Sequence, residues 1–231
     1  MREVPMKQLV FFITLGMTSV SMAAGFGKFQ PKGISGWVGG GVTAFTIKNS
    51  QAANLRLDQG VYASLGGEKG FGLMNLYLTF GFNYLTTQGK ANYRYSDLAT
   101  ATYTANDSDF QMDLFGASLG LKLKIIDGYW FRPYVEAGGF GGYYTLSYKF
   151  SSTQKAALDA VNPSKNYKTK DSIIDFGQYG EAGLEISFSD SFGLRPAARL
   201  IQAWTKKYET LGNTSIEYDS VVYYLTLLKA F

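Results

Sequence analysis

The chain has 231 residues and a formal net charge of +4, with no cysteine and no histidine. Those absences exclude a disulfide framework, histidine acid/base chemistry, the Ser-His-Asp and Cys-His triads and most zinc sites. No metal and no cofactor is therefore expected, and the mild charge, spread along the chain, is too small to imply nucleic acid, which is not expected as a partner.

In chain order, the first element is a leader. Residues 1–7 carry Arg2 and Lys7 against Glu3, 9–15 are apolar, and Ser21-Met22-Ala23-Ala24 offers cleavage after Ala23 or Ala24. This is the pattern of a secretory signal peptide over 1–24, with Met6 a second candidate start. An N-terminal membrane anchor is disfavoured, because Thr14, Gly16, Thr18 and Ser19 interrupt a run too short to span. Losing the leader removes two cations and one carboxylate, so the charge falls from +4 to +3.

After a short segment over 25–33, eight stretches alternate with period two. They are predicted as strands over 34–48, 55–65, 71–85, 109–125, 130–150, 174–188, 194–205 and 216–231. In the third, Leu76, Leu78, Phe80, Phe82 and Tyr84 lie opposite Tyr77, Thr79, Gly81 and Asn83. In the fourth, Phe110, Met112 and Leu114 share a phase with one another but not with Ala117, Leu119, Leu121 and Leu123, so a bulge is expected near Leu114-Phe115. Each stretch is long enough to cross a bilayer as a tilted strand, which takes roughly 9–11 residues.

The connections differ in length. Residues 66–70, Asp127-Gly128 and 189–191 read as tight turns. Residues 86–108 and 151–172 read as long polar loops, 206–215 as intermediate and 49–54 as short. A helical turn over 153–161 before Asn162-Pro163 is the alternative to plain loop. Asp127, Arg132 and Pro133 recur in spacing as Asp190, Arg195 and Pro196, and both prolines are expected near a rim, where a missing donor is solvated.

The charged residues of these strands fall on the polar phase. Centring one hairpin on Asp190 sets Glu181 opposite Arg199 and Glu185 opposite Arg195. Centring another on Gly128 sets Lys124 opposite Arg132, with Lys122 diagonal to Glu136. A slip of one residue would turn all eight to the apolar face, at several kcal/mol each near a bilayer midplane. Catalysis is not expected from them. Glu181 and Glu185 lie about 13 Å apart along one strand, wider than a hydrolytic carboxylate pair, and no nucleophile elbow is present.

Aromatic residues gather at strand ends. Trp37, Trp130, Phe131, Phe188, Phe192 and Phe231 fall at the short-turn end, and Tyr84, Phe176, Trp204 and Tyr208 near the other, as interface girdles do. The last strand places Val221, Tyr223, Leu225, Leu227 and Lys229 in phase with the terminal Phe231.

That terminal strand resembles the closing strand of a bacterial outer-membrane β-barrel, and Arg132-Pro133-Tyr134-Val135-Glu136-Ala137-Gly138 is similar to a stretch common in OmpA-like barrels. Together with the leader and the loop asymmetry, the resemblance to OmpA-like or OmpW-like small barrels covers all of 34–231. It implies an all-β fold, an eight-stranded antiparallel up-and-down transmembrane barrel with short periplasmic turns and longer extracellular loops. The segment 25–33 is then periplasmic and the protein resides in the cell outer membrane. Tyr223, Leu225, Leu227 and Phe231 become the signal read by the barrel-assembly machinery. The resemblance further implies outer-membrane lipids and lipopolysaccharide as surroundings, a ligand met through 86–108 and 151–172, and no enzyme activity. No peptidoglycan-anchoring domain is expected after Phe231. An eight-stranded lumen is just wide enough for side chains, so the paired charges are expected to fill it. A narrow channel for small or apolar solutes is the alternative.

Overall fold

Period-two alternation leaves each strand with one apolar face and two unpaired edges. Rolling the sheet until its edges meet satisfies both at once. A computed structural model of the protein describes residues 34–47, 55–71, 75–96, 101–126, 130–161, 167–189, 192–204, 207–215 and 218–230. The leader, the segment 25–33, the turn at Asp127-Gly128 and Phe231 lie outside the described residues.

Eight long strands form the wall: β1 (Ile34–Ile47), β2 (Gly60–Gly70), β3 (Leu76–Ser96), β4 (Thr102–Lys124), β5 (Phe131–Lys149), β6 (Lys170–Ser187), β7 (Phe192–Trp204) and β8 (Tyr218–Ala230). Each pairs antiparallel with the next, and β8 pairs with β1 to close the barrel. The two-residue strand Arg56–Leu57 adds to β3 at Gly89 and Lys90.

The registers fix the barrel's dimensions. Stepping across paired residues from Gly36 leads to Gly67, Phe80, Leu119, Gly139, Gln178, Gln202, Asp219 and back to β1 at Thr46. The path returns ten residues above its start on the same strand, 46 against 36. With ordinary strand spacings, that stagger over eight strands gives a tilt of about 40° and a radius of about 8 Å.

Through the middle of the wall, Val42, Leu65, Phe80, Phe82, Leu119, Leu121 and Leu225 point outward and are exposed, while Tyr62, Ser64, Thr79, Asn83 and Ser118 point inward and are buried. This is the reverse of a soluble barrel. Towards the long-loop end the polarity inverts. Leu85, Phe110, Met112, Leu114, Tyr144 and Leu146 are buried inside, and Gln88, Lys90 and Asp109 face out. The inversion needs no backbone irregularity. The bulge expected near Leu114-Phe115 is absent, because β4 pairs in unbroken register from Asp109 to Lys124 with β5. The apparent change of phase in the sequence marks the upper edge of the apolar belt. The one register shift between β3 and β4 lies at Ala91/Tyr93.

Three other expectations are corrected. Residues 66–70 are not a tight turn but the last part of β2, which begins at Gly60 rather than at 55. The glycines there serve close packing: a Cβ on Gly66 would fall against the Trp37 ring and the Phe80 carbonyl. Most of 86–108 is not loop, because β3 runs on to Ser96 and β4 starts at Thr102. The β4–β5 register is offset by two residues from the expected one, so Lys122 faces Glu136 and Lys124 faces Tyr134.

The long-loop end is closed by a packed cap. Helix α1 (Ser152–Val161) starts with a reciprocal cap: Gln154 N–H donates to Ser151 Oγ at 3.2 Å, and Ser151 N–H donates to Gln154 Oε1 at 2.9 Å. The same Gln154 donates through Nε2 to Asn106 O at 2.8 Å, tying the helix to β4. Leu158 is fully buried in a cluster with Tyr93, Tyr103, Phe110, Tyr148 and Leu211. The segment 207–215 joins β3 through Arg94 N–H donating to Thr210 O at 3.0 Å and Gly212 N–H donating to Arg94 O at 2.7 Å. Lys168 pairs with Glu209 at the surface, and that hydrogen bond raises the lysine's pKa.

Candidate functional site in the barrel lumen

Strands β2, β4, β5, β6 and β7 project their polar phase into the lower half of the lumen, towards the short-turn end. Lys122, Lys124, Arg132, Glu136, Glu181, Glu185, Arg195 and Arg199 all lie there, none more than 9% exposed. The β6–β7 register sets Glu181 opposite Arg199, and Arg199 Nε meets Glu181 Oε2 at 2.6 Å. Arg195 Nη2 meets Glu185 Oε1 at 3.1 Å.

The sequence reading missed the residue at the centre. Glu68, 2% exposed, receives Lys122 Nζ at 2.5 Å and Arg195 Nη2 at 2.9 Å on Oε2, and Lys124 Nζ at 2.8 Å on Oε1. Glu185 answers from the other side, taking Lys122 at 3.3 Å, Lys124 at 3.0 Å and Arg132 Nε at 3.6 Å. Glu68 shares the even-numbered phase of Tyr62 and Ser64, which would have placed it inside had the strand been carried past Leu65.

A second layer sits above the first. Glu136 accepts Tyr179 Oη at 2.7 Å and Thr79 Oγ1 at 2.8 Å on Oε1, with Lys122 at 3.7 Å and Arg199 at 3.9 Å as its more distant cations. Glu181 accepts Tyr134 Oη at 2.6 Å. Arg199 Nη1 donates to Tyr62 Oη at 3.2 Å and to Asn83 Oδ1 at 3.3 Å. Aromatic faces complete the shell. Arg195 lies 4.7 Å from the Trp37 ring centre, Lys122 4.4 Å from Tyr134, Lys124 3.8 Å from Tyr77 and Arg199 4.3 Å from Tyr179. Charges desolvated in this way persist only where partners answer them, and here each carboxylate is met from more than one strand. Above this layer Leu85, Met112, Leu114 and Leu146 fill the interior.

Trp37 corrects one expectation. It is not an interface aromatic but a lumen residue, 7% exposed, because its odd number puts it on the inward phase of β1 beside Thr43. Tyr208 is likewise buried in the cap rather than outward. Tyr84, Trp130, Phe131, Phe188 and Phe192 are outward and exposed, as are Tyr223, Leu225 and Leu227 on β8. Trp204 ends β7, and Phe231 falls outside the described residues. Among the described residues no cluster of potential ligands is arranged for a metal ion.

No protein-family model matches the chain, and no curated protein matches it. Among solved structures, neisserial surface protein A superposes with a TM-score of 0.53 at 12% identity, over 86% of this chain and 97% of that one. OprG from Pseudomonas aeruginosa gives 0.48 at 13% identity, over 87% and 98%, and Ail from Yersinia pestis gives 0.43 at 10%, over 85% and 99%. The closed register, the outward apolar belt and the first of these superpositions agree: the chain has the fold of the small eight-stranded outer-membrane β-barrels.

Proposed function

We propose that the protein is an integral outer-membrane barrel, exported by cleavage of a leader over 1–24, that acts at the cell surface through its cap rather than by conduction. On this reading the barrel-assembly machinery inserts it by way of β8. Lipids and lipopolysaccharide surround the belt, and 86–108 and 151–172 present the surface that a ligand meets. We assign it no reaction. The observation that carries the reading is the pairing of Glu68 and Glu185 with Lys122, Lys124, Arg132 and Arg195, drawn from strands on opposite sides of the lumen. Moving ions through it would require separating buried pairs.

The test is the conductance of refolded protein in a planar lipid bilayer, with Glu181→Gln beside it. Folded wild type is expected to be silent. Discrete steps that change with Glu181→Gln would replace this reading with a narrow channel for small solutes.

A further inference from the structure

The outward face of the wall is not uniform around the barrel. On β2–β4 it carries large side chains, Leu65, Phe80, Phe82, Leu119 and Leu121, all exposed. On β5–β7 the same belt is lined by Ala137, Gly139, Gly180, Ala182 and Ala198. Amid these small residues stand two amides. Gln178 of β6 and Gln202 of β7 are register partners on the outward phase, and Gln178 Nε2 donates to Gln202 Oε1 at 2.9 Å.

Their depth sets the problem. Above Gln178 on the same outward phase come Phe176 and Ile174, exposed at 51% and 58%. From Ile174 down to Gln178 is about 13 Å along the strand, or about 10 Å along the barrel axis at a tilt near 40°. The amides therefore lie inside the apolar belt, below its upper edge, where no water answers a polar group. Two primary amides hold four N–H donors and two carbonyl oxygens. One hydrogen bond joins them, and no other partner for either lies among the described residues. Three N–H donors and the Gln178 carbonyl are left for something outside the wall.

The glycines beside them have no use within the barrel. Gly180 pairs with Ala137 and Leu200, and Gly139 pairs with Gln178. A Cβ on Gly180 would meet nothing within 4 Å, one on Gly139 only the Gly177 carbonyl at 3.7 Å, and neither residue has a positive φ. Gly66, by contrast, is held to glycine by Trp37. Glycine weakens a strand that does not need it, whereas small residues let a second protein surface approach closely within a membrane.

We infer that the outer face of β5–β7 is a homodimer interface, with a second copy of this chain seated over Gly180. Both copies enter the membrane in one orientation, so a two-fold axis along the membrane normal brings each residue to its counterpart's depth. A primary amide is donor and acceptor at once and so answers a copy of itself. Gln178 and Gln202 of one copy then meet those of the other across the axis, while the glycines and alanines below let the walls touch. This rests on the outer-membrane reading above.

The test measures energy transfer between barrels in phospholipid vesicles. The chain has no cysteine, so Lys155→Cys on the exposed side of α1 gives a single labelling site. Donor-labelled and acceptor-labelled full-length protein are refolded together at rising lipid-to-protein ratio, and the reference protein carries only that change. Its transfer should exceed the level of random encounters and fall on dilution with lipid along a dimer curve. Gln178→Leu/Gln202→Leu should insert and fold at least as well, yet need about tenfold more protein per lipid to reach the same transfer. Gly180→Leu keeps both amides and fills open space, and it should weaken the dimer in the same sense. Ala63→Leu, on the opposite wall, should not. Chance-level transfer by the reference protein overturns the dimer and leaves the amides to a lipid or to a different membrane protein. Transfer that neither β6–β7 variant reduces overturns the site while leaving the membrane reading intact. Failure of the reference protein to insert into any bilayer overturns the membrane reading and the interface with it.

Discussion

Glu68 and Glu136 are both buried lumen glutamates, yet they differ in what holds them. Glu68 is bound directly by three cations at 2.5–2.9 Å, whereas Glu136 is bound by Thr79 and Tyr179, with its cations at 3.7 and 3.9 Å. Glu68→Gln leaves Lys122, Lys124 and Arg195 short of a counter-charge in a desolvated site, a loss of about 3–5 kcal/mol. Glu136→Gln keeps an acceptor for both hydroxyls and should lose less than half of that. Urea unfolding of the bilayer-inserted barrel separates the two, and equal midpoints would sink the ranking. Most of this site was legible in the sequence, because parity alone assigns Glu181, Glu185, Arg195 and Arg199 to one face. Glu68 was hidden by its neighbours. Gly66, Gly67 and Gly70 beside Glu68 and Lys69 have the composition of a turn, while Gly66 and Gly67 in fact leave room for Trp37 and Phe80, and Gly70 for Tyr77.

At the scale of elements, the cap depends on few anchors. Gln154 both caps α1 and holds the Asn106 carbonyl, so Gln154→Ala should cost about 1 kcal/mol locally. Leu158→Ala, which empties a fully buried position, should cost about 2–5 kcal/mol. Both losses are confined to the cap. Limited proteolysis within 151–172 should quicken several-fold in Gln154→Ala and more in Leu158→Ala, while the unfolding midpoint of the barrel stays where it is in wild type. A lowered midpoint would mean that cap and barrel are one cooperative unit. The upward extensions of β3 and β4 were not legible. Above the belt their inward side chains are Tyr93, Tyr103 and Ala105, set among Thr, Asn and Ser, so the aliphatic rhythm that marks a membrane strand stops although the ladder does not. The same boundary imitated a bulge in β4, where apolar residues pass from the outer to the inner face.

For the whole molecule, the ion pairs fall into two classes by depth. Those on Glu68 and Glu185 are sealed inside the wall, while Lys90–Asp107 and Lys168–Glu209 are exposed on the cap. Salt shortens electrostatic range from about 10 Å at 0.1 M to about 3 Å at 1 M, but only where ions have access. Raising salt over that range should leave the unfolding midpoint of the barrel unchanged and make the cap more open to protease. A midpoint that falls with salt would mean that water and ions reach the lumen. Strand number and closure were legible from the repeat of alternation and the lengths of the connections. Register was legible in the β6–β7 hairpin, which pairs as centred on Asp190, but not in the β4–β5 hairpin, whose turn admits more than one pairing. The β4–β5 estimate missed by two residues, an even number, and so every side chain stayed on its proper side of the wall.

The uneven rim gives the barrel a front and a back. On the side of β7, β8 and β1 the described strands stop at Trp204, Tyr218 and Ile47, near the upper edge of the apolar belt. On the side of β3, β4 and β5 the strands run on above the belt as a taller wall. A neighbour in the membrane therefore meets a low wall or a tall one according to the side from which it approaches.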